Sequence, residues 1–255
     1  MTRRVARPLL GLLLALVLGA ARDPILVPEV SEHDIQVRQG FTGQELLLFG
    51  AILSPEGTRA AREHDIVVVL KGPVRSIVLR EKEKVAGIWI NAHSAEFRSA
   101  PTFFAVASSR PIAQIVDEKT AAIYELGLPY LQLSPIGPID PAEQERFSAG
   151  LVDLMVRQGL YRQEQRAVKV SGGVLYQARI SLPSSVVTGT YTAETFAVRQ
   201  GKVVASASST IKVSKQGFER FVATAADEQS VLYGLFAVVT SVGMGLLAGR
   251  LFALA

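Results

Sequence analysis

The 255-residue sequence contains no cysteine. Disulfides, thiol catalysis, iron–sulfur clusters and thiolate zinc sites are therefore excluded. Histidine is scarce, at three residues, and there is a single tryptophan, Trp89. A surplus of one charge is missing too. The formal net charge is +4, but three of the 27 basic residues, Arg3, Arg4 and Arg7, lie in a segment expected to be removed, leaving 24 against 23 acidic residues. Without a basic stripe, nucleic acid is not an expected partner. The sequence holds no Gly-x-Ser-x-Gly elbow and no His-Glu-x-x-His zinc helix, and Gly172-Gly173 lacks the Lys and Ser/Thr of a phosphate-binding loop. Ser108-Ser109 and Ser184-Ser185 lie beside predicted loops with no identifiable base. Neither an enzymatic activity nor a cofactor is expected.

Apolar residues make up 49% of the chain, and their excess sits at the two ends. Residues 1–21 carry the three parts of a secretory signal: a basic start, the apolar run Leu9 to Leu18, and the small residues Gly19-Ala20-Ala21 suited to cleavage after Ala21. At the other end, Val231 to Gly249 contains no charged residue. At 1.5 Å per residue this segment covers roughly 28 Å, about the hydrocarbon thickness of a bilayer. Tyr233 stands near its start and Arg250 near its end, where an interfacial ring and a snorkelling cation belong. Residues 230–255 are thus expected to be a single transmembrane anchor. A removed signal and a basic C-terminal flank place the main domain outside the cytoplasm and the C-terminus inside. Within the anchor, Gly245 and Gly249 form a small-xxx-small pair that would let another helix approach closely, with Gly243 nearby.

The expected extracytoplasmic domain is residues 22–229. Short β-branched runs punctuated by Gly, Pro and Asp predict strands at Asp34 to Arg38, Glu45 to Ile52, Asp65 to Leu70, Ser76 to Leu79, Val85 to Asn91 and Thr102 to Ala107. The mixed-sign run Arg80 to Lys84 reads as a solvated strand edge. A helical insertion follows at about 117–160. Its clearest helix begins at Asp140-Pro141 with Glu143 in a capping-box position, and places Phe147, Leu151, Leu154 and Met155 on one face. Strands return from Ala167 onward: Val174 to Leu182, Tyr191 to Val198 and Val203 to Val213. The approach Pro183 to Tyr191 resembles the corner before a late strand of immunoglobulin-like domains, which gives Tyr191 a structural role through its hydroxyl. The expected fold is mainly β: an immunoglobulin-like antiparallel β-sandwich with a helical insertion, plus a C-terminal transmembrane helix. Two smaller β-domains are the alternative. Gly217 to Gln229, with Phe218 and Phe221, reads as a short amphipathic stretch leading into the membrane.

The candidate metal ligands are His33 and His64. Each stands in a Glu-His-Asp triplet, at 32–34 and 63–65, just before a predicted strand. Strand pairing that joined the two triplets could make a metal site; otherwise both are polar turns. His93 reads as a turn residue.

Several segments together resemble a family of transmembrane proteins of Alphaproteobacteria: Phe41 to Gly50, Val85 to Asn91 around the structural residue Trp89, Pro183 to Tyr191, and Leu232-Tyr233-Gly234-Leu235. Val187 departs from that pattern, which has a proline before the turn. The resemblance covers nearly the whole mature chain. It implies no catalytic residues. It does imply an accessory role beside a permease of the sulfite-exporter type, near which members are often encoded. Three functions follow as expectations. The first is a membrane-anchored periplasmic accessory protein of the inner membrane, packed against a polytopic permease. The second is a periplasmic module that binds or senses a small ligand or metal. The third is an envelope structural protein.

Overall fold

The computed structural model describes residues 24–38, 40–53, 64–215 and 226–254. The expected signal peptide, residues 1–21, lies outside them, as does most of the expected amphipathic stretch, including Phe218 and Phe221. Twelve strands are described. In chain order these are β1 (Ile25–Val30), β2 (Asp34–Val37), β3 (Gly43–Leu53), β4 (Asp65–Lys71), β5 (Val74–Val85) and β6 (Ile88–Pro101), then β7 (Phe104–Ser108), β8 (Tyr161–Gln165), β9 (Lys169–Ser171), β10 (Leu175–Pro183), β11 (Gly189–Arg199) and β12 (Lys202–Lys215). Four α-helices accompany them: α1 (Ile112–Ile115), α2 (Glu118–Ile123), α3 (Pro141–Arg157) and α4 (Ser230–Leu254).

Two sheets form the body. One has the order β1-β3-β10-β9, the other β2-β12-β11-β4-β7-β8. Pairing is antiparallel except at β2 on β12 and β8 on β7. Buried side chains from both sheets belong to one continuous core. Strand β3 alternates as a one-sided strand should: Leu46, Leu48 and Ile52 point inward, while Glu45, Phe49 and Leu53 are exposed. Gly50 lies in the same inward series, where a Cβ would collide with the Val27 carbonyl and the Tyr176 ring. The Tyr176 hydroxyl in turn reaches Thr195 of the facing sheet at 3.4 Å. By contrast, Ile66 to Leu70 of β4 are all buried, because this strand is covered on both sides. Its outer side is roofed by the helical segment, where Tyr124 packs on Phe196 at 5.5 Å between ring centroids and Ile112, Ile115 and Leu126 are buried.

Helix α3 starts where its sequence dictates. The Asp140 carboxylate accepts the Ala142 N–H at 2.9 Å, and Pro141 occupies the first turn. Phe147, Leu151 and Met155 are buried; Leu154, expected beside them, lies at the margin of the stripe and is exposed. Strand β8 begins at Tyr161, several residues before the strand pattern was expected to return. Its polar sequence Tyr-Arg-Gln-Glu-Gln suits a sheet edge and gives no apolar alternation to read.

The largest departure concerns residues 74–101. The expected strand Val85 to Asn91 is broken by a tight turn. Ala86 and Gly87, at φ +48° and +87°, form the primed turn that suits a two-residue hairpin. Strands β5 and β6 make a separate two-stranded ribbon that includes the Arg80 to Lys84 run. This ribbon continues the β4–β7 pair. Lys71 pairs with Phe104 and Val74 with Pro101, and the Gly72 N–H to Phe103 and Thr102 N–H to Pro73 bonds bridge the bend between them. The arm lies against α3 to just beyond its middle, where Arg146 holds Glu81 at 3.1 Å. Its distal end carries Trp89.

Candidate functional site

The histidines fall at opposite ends of the larger sheet. His33 precedes β2, and its carbonyl accepts the Lys212 N–H near the end of β12. His64 precedes β4, whose first residue Asp65 pairs with Val198 at the end of β11. Along β11 these positions are separated by about eight residues, or roughly 26 Å, so the structure does not bring them together. His33 is exposed and lies 3.2 Å from Glu29. His64 is buried, at 5% exposure, and neither ring nitrogen meets a partner among the described residues. His93, on the arm, sits between Glu83 at 3.9 Å and Glu143 at 3.7 Å. Among the described residues, no group of three or more His, Asp or Glu side chains is arranged to hold a metal ion.

Two partly buried charge arrangements escaped sequence reading, because their partners are distant in the chain. Asp65 receives Ser109 Oγ at 2.9 Å and Arg110 Nε at 2.8 Å, with a second bond from the same guanidinium. Burial alone would raise the Asp65 carboxyl, but the Arg110 and Ser109 bonds outweigh it and hold the group below the usual carboxylate range. Lys71 lies between Glu125 at 2.7 Å and Glu194 at 3.2 Å. Its desolvation is outweighed in the same way, and the ammonium is held above its ordinary value. In both clusters the charges are paired with one another within the domain. The Tyr191 hydroxyl donates to the Val187 carbonyl at 2.8 Å, and burial pushes the phenol up to about 12. This bond ties β11 to the turn that precedes it. Trp89 occupies a different setting, 65% exposed at the tip of the arm.

Helix α4 is unlike the rest of the chain. Its residues Ser230–Arg250 form one helix apolar enough and long enough to cross a bilayer, and none of it is buried within the structure. Its one side-chain hydrogen bond among those described is Thr240 to the Phe236 carbonyl at 2.7 Å, which satisfies that hydroxyl within the helix. At about 100° per residue, Gly234, Ser241, Gly245 and Ala248 share one face. Gly249 lies at its edge, Gly243 on the opposite side, and Leu235, Val239 and Leu246 away from the small residues. A Cβ added at Gly245 or Gly249 would meet nothing within 4 Å.

A β-rich body followed by an uncovered apolar helix of membrane-spanning length defines a membrane-anchored protein. The family model described as "Putative transmembrane protein" (Alph_Pro_TM) matches residues 25–253. The match covers both the β-rich body and the anchor, and the chain belongs to this family. No curated protein matches it.

Proposed function

We propose that the protein is a non-enzymatic accessory subunit of the inner membrane, with its β domain in the periplasm and its anchor packed against a polytopic permease of the sulfite-exporter type. The observation that carries the reading is the small-residue face of α4 around Gly245, which no described residue covers. In lipid, close backbone approach at such a face is what favours helix association. The basic start and small-residue cleavage site of residues 1–21 support export of the domain, and Arg250 supports a cytoplasmic C-terminus. The strand order supports an immunoglobulin-like module. If β1, β3, β10 and β9 are taken as A, B, E and D, then β2, β12, β11, β4 and β7 follow as A′, G, F, C and C′, with Tyr191 at the start of F. Such a module, with its internal charges already paired, serves binding and positioning better than chemistry.

The test is purification of the full-length protein from its native membrane in mild detergent. A permease should co-elute at fixed ratio, and the Gly245→Leu, Gly249→Leu double variant should lose it. A solitary wild-type protein would overturn the reading.

A further inference from the structure

The distal end of the β5–β6 arm concentrates exposed apolar side chains. Val85, Ile88, Trp89 and Ile90 are contiguous around the turn and between 45% and 69% exposed. Solitary exposed apolar residues need no explanation, but four together at the end of a projecting ribbon do. The register sorts them by face. Val85 pairs with Ile88 and Glu83 with Ile90, while Lys84 pairs with Trp89 and Lys82 with Asn91. One face is therefore largely aliphatic, and the other is an indole beside two lysines with long apolar stems. This is the chemistry of a bilayer interface, where tryptophan rings settle at headgroup level and lysine stems extend their ammonium groups to phosphate.

The arm and the connection to the anchor leave the same end of the larger sheet. Gly189 pairs with Val213 near the end of β12, and Thr192 with Lys71 at the end of β4, so β4 and β12 run to the same end of the sheet. From that end β4 continues as the arm, and β12 continues towards α4. Strand β5 has 12 residues, and at 3.3 Å each the arm is about 40 Å long. Residues 216–229 separate β12 from α4, and their fully extended contour is at most about 50 Å. The arm's length thus lies within the distance at which the anchor can hold the sheet from the bilayer.

We infer that the β5–β6 hairpin tip is a second membrane contact, inserting Ile88, Trp89 and Ile90 into the interface of the bilayer that α4 crosses. The occupant is lipid, and the contact fixes how the domain stands on the membrane. It requires only the anchor, not the permease.

Because Trp89 is the chain's only tryptophan, its fluorescence reports this tip alone. The full-length protein would be placed, one copy per disc, in phosphatidylcholine–phosphatidylglycerol nanodiscs held by a tryptophan-free scaffold protein, with and without lipid brominated near the headgroup. The expected result is loss of Trp89 emission in the brominated discs and a blue-shifted maximum in the unbrominated ones. Emission unchanged by bromine would overturn the inference. In that case, quenching by aqueous iodide would mean a free tip, and protection from iodide would mean that protein covers it. The Ile88→Ser, Ile90→Ser double variant should keep the wild-type unfolding temperature and lose the bromolipid quenching. Quenching equal to wild type in that variant would also overturn the inference.

Discussion

The two halves of the ribbon from Asp65 to Ser108 follow one antiparallel course, with two register shifts in the β5–β6 half, yet live in different surroundings. In the proximal half, β4 and β7 lie inside the larger sheet, and Ile66 to Leu70 and Phe104 to Ala107 are all buried. In the distal half, β5 and β6 form their own two-stranded sheet, joined near its base by backbone bonds from β6 to residues 134–136, and beyond the α3 contact most side chains face solvent. A ladder of backbone bonds is common to both, so backbone pairing does not distinguish them. The difference lies in what covers the faces. The proximal half draws stability from burial on two sides, whereas the distal half is held by its turn and its base. A two-stranded ribbon alone is marginal in water, which makes its anchoring points, Phe97 and the Ala86-Gly87 turn, the places to probe.

The comparison is broken most severely in the buried regions. Leu70→Ala should cost about 2–5 kcal/mol and Phe97→Ala about 3–5 kcal/mol, read as a lowered midpoint in denaturant unfolding of the detergent-solubilised protein. A Phe97 variant with unchanged stability would show that the arm is not coupled to the core. Tyr191→Phe removes the bond to Val187 and should cost about 1 kcal/mol. Acid should act at the far end of β4. The Asp65 carboxyl is depressed in the folded state, so its stabilisation is present above the unfolded value of about 3.9 and is lost as pH falls through the folded value. Asp65→Asn should flatten that part of the stability–pH curve, and an unaltered curve would remove Asp65 from the account. The smallest effect belongs to the tip: Ile88→Ser should change stability by no more than about 0.5 kcal/mol, in contrast to every buried position.

The same contrast explains what the sequence made legible. Strands β3, β4, β10 and β11 could be read because burial imposes alternation or an unbroken apolar run on them. Helix α3 could be read because Asp140, Pro141 and Glu143 mark its start locally. The arm could not. Its apolar tip residues flank Ala86-Gly87 on both sides, and an apolar run with a glycine inside it looks like one strand rather than the end of two. Strand β8 was hidden for the opposite reason, as an edge strand needs no apolar pattern. At the candidate sites, the anchor was legible because a long, uncharged apolar run shows directly in composition. The Asp65–Arg110 and Lys71–Glu125–Glu194 clusters were not, because each depends on long-range pairing. The separation of His33 from His64 was equally invisible, since it follows from strand order and not from the repeated triplet.

Strand β12 is flanked by β11 on one side and by the parallel strand β2 on the other, and its C-terminal end is the one the chain follows to the membrane. Any pull transmitted by the anchor enters the domain at the C-terminal end of β12, and its component along that strand's axis is borne by both neighbours. The ladder bonds lie across that axis, so they meet the force together in shear instead of parting one after another. The domain is mounted on its anchor in the mechanical sense in which a β-sheet is hardest to peel.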